Sequence, residues 1–256
     1  MISFVGAGPG DPELITVKGA NLLGNADIII YAGSLVNPSL LDYAKAGCRI
    51  FNSAQLDLDQ QIEIMVSGVK ADKEVVRLHT GDPSIYGAIR EQMVRLEGAG
   101  IYYQVIPGVS SFCGATATLK RQLTIPNQTQ TVILTRMEGR TPVPEKERLK
   151  KLAEHQSTMV IFLSIGMIDQ VVTELKEHYP VTTPAAVVYK ASWPEEKKLV
   201  GTLEDIVQLT EEEGIIRTAL IFVGEFLKES VEEESLLYSS HFTHGFRDGV
   251  GEERCD

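Results

Sequence analysis

Five times in residues 2–119 a short β-branched run is followed by an amphipathic stretch, and this alternation constrains the chain more than any other feature. Strand candidates are 2–5, 27–31, 49–51, 74–78 and 102–106; helical periodicity covers 16–24, 38–45, 58–70, 84–97 and 109–119. Strands separated by helices pair mostly in parallel, because each crossover returns the chain in the same direction and the helix covers the sheet. Ligands of such sheets bind beyond the carboxyl ends of the strands. Three turns lie there: 6–12, 79–87 and 107–111.

Residues 120–127 break the periodicity and read as a linker. A second α/β unit follows, with strands expected at 131–135, 158–163, 185–190, 197–201 and 216–224. Its helices are expected near 145–154, 167–178 and 203–212, the last with Thr202 as N-cap and Asp205 in its first turn. A short strand after Trp193-Pro194 predicts a hairpin and hence a mixed sheet. The expected organisation is an N-terminal α/β domain over 1–120 and a C-terminal one over 121–228. Residues 229–256 turn Glu-rich and then Ser-, Gly- and His-containing without an apolar period, so a disordered tail is expected.

The first turn, Gly6-Ala7-Gly8-Pro9-Gly10-Asp11-Pro12, places three glycines in five residues directly after a strand. Glycine lacks a Cβ, so such a turn reads as a place where the backbone comes close to a ligand. A dinucleotide is a poor candidate. The third glycine of G-x-G-x-x-G falls on Asp11, Pro9 has no N–H for a pyrophosphate, and no carboxylate follows Tyr31 for a ribose. Gly81-Asp82-Pro83-Ser84-Ile85-Tyr86-Gly87 and Pro107-Gly108-Val109-Ser110-Ser111 repeat the construction of strand, turn and helix start. Asp82 or Ser84 is expected to cap the helix that follows.

There is no P-loop, no G-x-S-x-G elbow and no paired-carboxylate or His-rich cluster, and hence no metal site of the protein's own. Three widely spaced cysteines without C-x-x-C fit a reducing compartment. A net charge of −11 argues against nucleic acid and anionic membranes as partners. No apolar run reaches the length of a membrane span and no signal-peptide pattern opens the chain, so a cytoplasmic enzyme is expected. A reaction carried by positioning rather than by side-chain chemistry fits these absences.

These turns resemble those of the tetrapyrrole methyltransferases of cobalamin and sirohaem synthesis. The matching residues are Val5–Pro12 with Leu14-Ile15-Thr16, Thr80–Pro83, Ile106–Ser111 and the closing strand Ala219–Glu225. Asp27–Val36 and Leu134–Pro144 narrow the likeness to the branch that methylates carbon 11 of precorrin-4 or cobalt-precorrin-4. The resemblance implies two α/β domains, usually in a homodimer, with S-adenosylmethionine in the cleft between them and a tetrapyrrole as substrate. It implies cofactor contacts at Pro9, Thr80, Gly81, Asp82, Ile85, Ser110, Ser111, Leu163, Ala191, Ala219 and Leu220. Siblings acting at another ring position and, more remotely, a nucleotide-binding oxidoreductase are the alternatives.

A substrate rich in carboxylates must be drawn by local field, since the net charge is negative. The candidates are Arg90, Arg136, Arg140 and Lys190, with Arg121 weaker. Arg136 and Arg140 flank a strand-end loop and suit bidentate pairing. Tyr31 and Tyr86 are candidates to line the trough. Trp193 either stacks on the macrocycle or anchors its own hairpin. No single side chain is expected to be indispensable as a base.

Overall fold

The structure is a computed structural model that describes residues 1–228 and 239–250. The expected tail over 229–256 therefore lies largely outside the described residues. Within it, Val250 N–H donates to Ser240 O, and His244 and Arg247 exchange backbone hydrogen bonds in a short turn. No helix among the described residues is long and apolar enough to cross a membrane.

The chain divides into two compact units, Met1–Leu119 with Val188–Lys198, and Lys120–Val187 with Leu199–Asp256. The first contains β1 (Ile2–Gly6), α1 (Val17–Asn25), β2 (Ile28–Tyr31), β3 (Arg49–Asn52) and α2 (Leu58–Lys70). It continues with β4 (Val75–His79), α3 (Arg90–Gly98), β5 (Tyr103–Ile106) and α4 (Ser111–Leu119). Its five strands run in the order β3-β2-β4-β1-β5, every pairing parallel. The order matters for function: β1 is flanked by β4 and β5, so the three turns that leave these strands are neighbours.

Period-two alternation divides the strands between two cores. Val5, Ile29, Val76 and Leu78 pack on one face with Leu23 of α1. Ile2, Phe4, Ile28, Ile30 and Val75 pack on the other with Met65 of α2 and Leu96 of α3. Local signals set the helix starts. Thr16 accepts from Gly19 N–H at α1, and Asp57 with Gln60 closes a capping box at α2.

The second unit contains β6 (Val132–Arg136), α5 (Leu149–Ala153), β7 (Thr158–Phe162), α6 (Ile168–Leu175), β8 (Pro184–Tyr189), β9 (Lys197–Thr202), α7 (Ile206–Glu212) and β10 (Ala219–Val223). Its sheet runs β6-β7-β10-β8-β9 and is mixed, β6 pairing parallel and β10 antiparallel to β7. Both β7 and β10 are buried throughout, and α6 buries Ile168, Val171, Val172 and Leu175, one helical stripe. The loop joining β8 to β9, with the adjoining strand ends, groups with the first unit.

Three local expectations are corrected. The helix expected over 84–97 begins only at Arg90, with no side-chain cap. Residues before it turn instead, because Tyr86 and Ala88 have φ of 56° and 50°, outside the helical region. Residues 38–45 form a short 3₁₀ turn, Pro38–Tyr43, started by Asn37. Thr202 does not cap α7: its N–H donates to Asp205 Oδ1, and Asp205 occupies the N-cap position.

Candidate functional site

The turns after β1, β4 and β5 are fastened to one another through glycine. Ala7 N–H donates to His79 O at 2.7 Å, and Gly8 and Gly81 exchange backbone hydrogen bonds at 3.3 and 2.9 Å. A Cβ built on Gly6 would lie 2.6 Å from both Gly108 Cα and Gly81 O. A Cβ on Gly10 would overlap the Trp193 ring. Gly8 needs glycine because its φ is +80°. The glycines of the first turn thus admit neighbouring chain, a close approach within the protein itself.

Asp82 stitches two of the turns. Its Oδ1 accepts from Ser84 N–H at 2.8 Å and from the Ser84 hydroxyl, and its Oδ2 accepts from Gly108 N–H at 2.9 Å. Burial pushes the Asp82 carboxyl up, but these three hydrogen bonds outweigh it and hold the group below the ordinary aspartate value. Both oxygens are committed within the protein, so Asp82 organises the rim as an anion and is not placed to act as a base. Asp82→Asn, which sets an amide donor against Gly108 N–H or gives up Ser84, is expected to cost about 1–2 kcal/mol in urea unfolding. An unchanged midpoint would show that the stitch carries no stability.

Pro9, Gly81, Asp82, Ser110, Ser111 and Ala191 come together. The Gly81 Cβ position lies 3.3 Å from Ser111 N, and that of Gly114 lies 2.8 Å from Pro9 Cβ and 3.9 Å from Ala191 Cβ. Thr80 and Ile85 stand half-buried in the same strand-end turn. These residues offer hydroxyls, the Ser111 N–H at the start of α4 and apolar surface, without a cationic side chain. Such a set can receive the hydroxyl and carboxylate groups of a small ligand.

Leu163, Ala219 and Leu220 lie in the second unit. β7 and β10 pair Ile161 with Ile221, and extending that register by two places sets Leu163 opposite Ala219. Leu163 is 68% exposed with φ +54°, a conformation that a branched apolar residue adopts only under constraint. Ala219 and Leu220 are buried strand residues.

The candidate substrate residues diverge. The Arg136 guanidinium donates to the carbonyls of Met137, Thr141 and Pro142, so it folds its own loop. Arg121 likewise donates to Leu227 O and Lys120 O. Lys190 pairs with Glu195 at 3.5 Å and lies 4.9 Å from the centre of the Trp193 ring. Arg90 and Arg140 are exposed. Tyr31 packs against the α1-side core, and Tyr86 is 45% exposed in the turn before α3.

Beneath that turn lie two buried polar residues that no sequence signal marked. Arg77, 5% exposed, donates to Gln92 Oε1, Ile30 O, Leu78 O and Ser53 Oγ, all neutral acceptors. Gln92 in turn donates to Ala88 O. Burial lowers the Arg77 guanidinium to about 10, still charged at neutral pH. His79, 3% exposed, bonds the Gly87 backbone, and its Nε2 has no partner among the described residues.

Residues 1–207 match the model of the tetrapyrrole (corrin/porphyrin) methylases. A cobalt-precorrin-4 C(11)-methyltransferase of Methanocaldococcus jannaschii is 57% identical over 247 residues, 96% of this chain and 95% of that one. A solved cobalt-precorrin-4 methyltransferase superposes with a TM-score of 0.87 at 45% identity, covering 89% of this chain and 95% of that one. A uroporphyrin-III C-methyltransferase of Thermus thermophilus, solved with S-adenosylhomocysteine, gives 0.73 at 26% identity over 88% and 98% of the two chains. With a family match over most of its length and relatives spanning nearly all of it, the chain belongs to the tetrapyrrole (corrin/porphyrin) methylase family.

Proposed function

We propose that this protein methylates C-11 of cobalt-precorrin-4, or of precorrin-4, in cobalamin synthesis, with S-adenosylmethionine as methyl donor. The observation that carries the reading is the 57% identity, over almost the whole of both chains, to a cobalt-precorrin-4 C(11)-methyltransferase. Use of S-adenosylmethionine is supported by the donor set of the rim and by the relative solved with S-adenosylhomocysteine. A cytoplasmic homodimer completes the reading and rests on family likeness alone.

When bound, S-adenosylmethionine would supply an electrophilic sulfonium methyl, its transfer to a nucleophilic ring carbon leaving the neutral thioether S-adenosylhomocysteine. The chain's own part is to bind, orient and exclude water, and positioning of this kind supplies up to roughly 7–11 kcal/mol of a barrier. Pro9, Gly81, Ser110 and Ser111 are held in place by glycine packing and by Asp82, so the chain's own contacts fix the rim. Ser110 and Ser111 offer their hydroxyls, and Ser111 its N–H, to the polar groups of the donor. Arg90 and Arg140 are the exposed cations among the candidates for the substrate carboxylates. Cobalt, where present, enters with the substrate.

The test is calorimetric titration with S-adenosylhomocysteine, with NADH as control, followed by mapping of the methylated carbon by NMR. Micromolar binding of the former alone, and methylation at C-11, are expected. Methylation at another ring carbon would make the protein a sibling enzyme, and binding of NADH alone would remove the methyltransferase reading.

A further inference from the structure

The turn Pro9-Gly10-Asp11 is held from outside at three consecutive residues. The indole Nε1–H of Trp193 donates to Pro9 O at 3.0 Å. Asn37 Nδ2–H donates to Gly10 O at 2.8 Å in a buried contact. Asp11 N–H donates to Ser192 Oγ at 2.9 Å. All of these residues belong to the first unit.

The segment that supplies Ser192 and Trp193 is itself braced. Glu196 Oε2 accepts from Ser192 N–H at 2.5 Å and from Thr118 Oγ1–H of α4 at 2.7 Å. Lys190 and Ser192 hold φ of 46° and 64°, conformations that non-glycine residues keep only when their surroundings fix them. The Lys190 ammonium lies 4.9 Å from the Trp193 ring centre. Trp193 packs where any side chain at residue 10 would stand. The indole is thus seated on the turn. It therefore does more than anchor its own hairpin.

A turn with glycine at residues 6, 8 and 10 has many conformations in the absence of restraints, and a ligand that needs one of them must bear the ordering cost. Three hydrogen bonds to three successive residues remove that freedom beforehand. We infer that Trp193, Ser192 and Asn37 are positioning residues that preorganise the Pro9–Asp11 turn for the adenosyl cofactor. The inference rests on the proposed function, because it takes that cofactor as the ligand of the turn.

A positioning role of this kind acts on ground-state binding. Its loss raises Kd and KM for the cofactor while leaving kcat at saturation near its original value. Trp193→Phe keeps the ring on Gly10 and removes only the N–H. Ser192→Ala removes the acceptor for Asp11. Asn37→Asp keeps the oxygen that accepts from Ser39 N–H and replaces the donor with a second oxygen facing Gly10 O.

The experiment is calorimetric titration of S-adenosylhomocysteine into wild type and the three variants, with thermal unfolding of each without ligand. Trp193→Phe and Ser192→Ala are each expected to weaken binding about three- to tenfold, the worth of one hydrogen bond, and the double variant more than either. Unfolding midpoints are expected to stay within a few degrees. The Trp193 emission of the wild type, which contains a single Trp, is expected to shift on titration. Affinities within twofold of wild type would overturn the inference, whether or not the midpoints fell, because the contacts would then serve stability alone. Failure of the wild type itself to bind S-adenosylhomocysteine would instead refute the proposed function.

Discussion

Gly108→Ala is expected to weaken S-adenosylhomocysteine binding by roughly 100-fold, equivalent to about 3 kcal/mol of overpacking expressed as affinity. The added methyl would overlap Gly81 O and stand 2.8 Å from Gly6 Cα, so backbone meets backbone at a point where β1, β4 and β5 end together. A flexible side chain could swing aside; three strand ends cannot. Relief requires the turns to part, which opens the Gly8–Gly81 bridge and the bond from Gly108 N–H to Asp82. Gly98→Ala, where nothing lies within 4 Å of the added methyl, is the control and is expected to bind normally. Calorimetry and circular dichroism on both variants decide the matter. Binding by Gly108→Ala within threefold of wild type would mean that the turns do not need this contact.

The second large effect is acid instability through His79. Burial first, and the Arg77 charge second, lower its imidazole from 6.5 to about 3 against the opposing hydrogen bond to the Gly87 backbone. In the folded chain His79 is neutral, whereas the unfolded chain takes up a proton as the pH falls below about 6.5. The unfolded state then binds more protons, so stability falls with falling pH from about 6.5 down to about 3, at up to about 1.4 kcal/mol per unit. Over that window the loss sums to roughly 4–5 kcal/mol, a large share of the 5–15 kcal/mol typical of a domain. His79→Gln keeps a donor for the Gly87 backbone and does not titrate. Urea midpoints between pH 7 and 4.5 are expected to fall more steeply for wild type than for this variant. Parallel slopes would remove His79 as the cause and leave the carboxylates.

The second prediction concerns the least legible part of the molecule. Arg77 and His79 sit in a strand written Val75-Val76-Arg77-Leu78-His79, where alternation reads as apolar positions with two polar interruptions. Nothing in that pattern says that the polar residues face inward. The fold turns them there because Val75 packs on the α2 and α3 side, and period two carries residues 77 and 79 to the same face. They are sustained by the irregular turn above them, whose carbonyls at Gly87 and Ala88 are reached by His79 and Gln92. The same turn defeated the expected helix over 84–97, since neither Tyr86 nor Ala88 signals a left-handed conformation.

Hydrophobic periodicity and turn chemistry determined much by themselves. They were enough for the first sheet, for its parallel character and for the three strand-end turns, because β-branched runs, caps and glycine–proline punctuation act within a few residues. They also marked Asp82, Ser110 and Ser111 as rim residues. Only the tertiary structure decided what the rim is made of. Strand order put β1 between β4 and β5, turning the first-turn glycines into contacts with Gly81, Gly108 and Trp193. It consumed both Asp82 oxygens and folded Arg136 onto its own loop. It brought Ser192 and Trp193 to Asp11 and Pro9, 181 and 184 residues away in sequence. The physical reason is range: propensity and periodicity are local, whereas steric fit and hydrogen-bond partnership depend on which distant segments the topology makes neighbours.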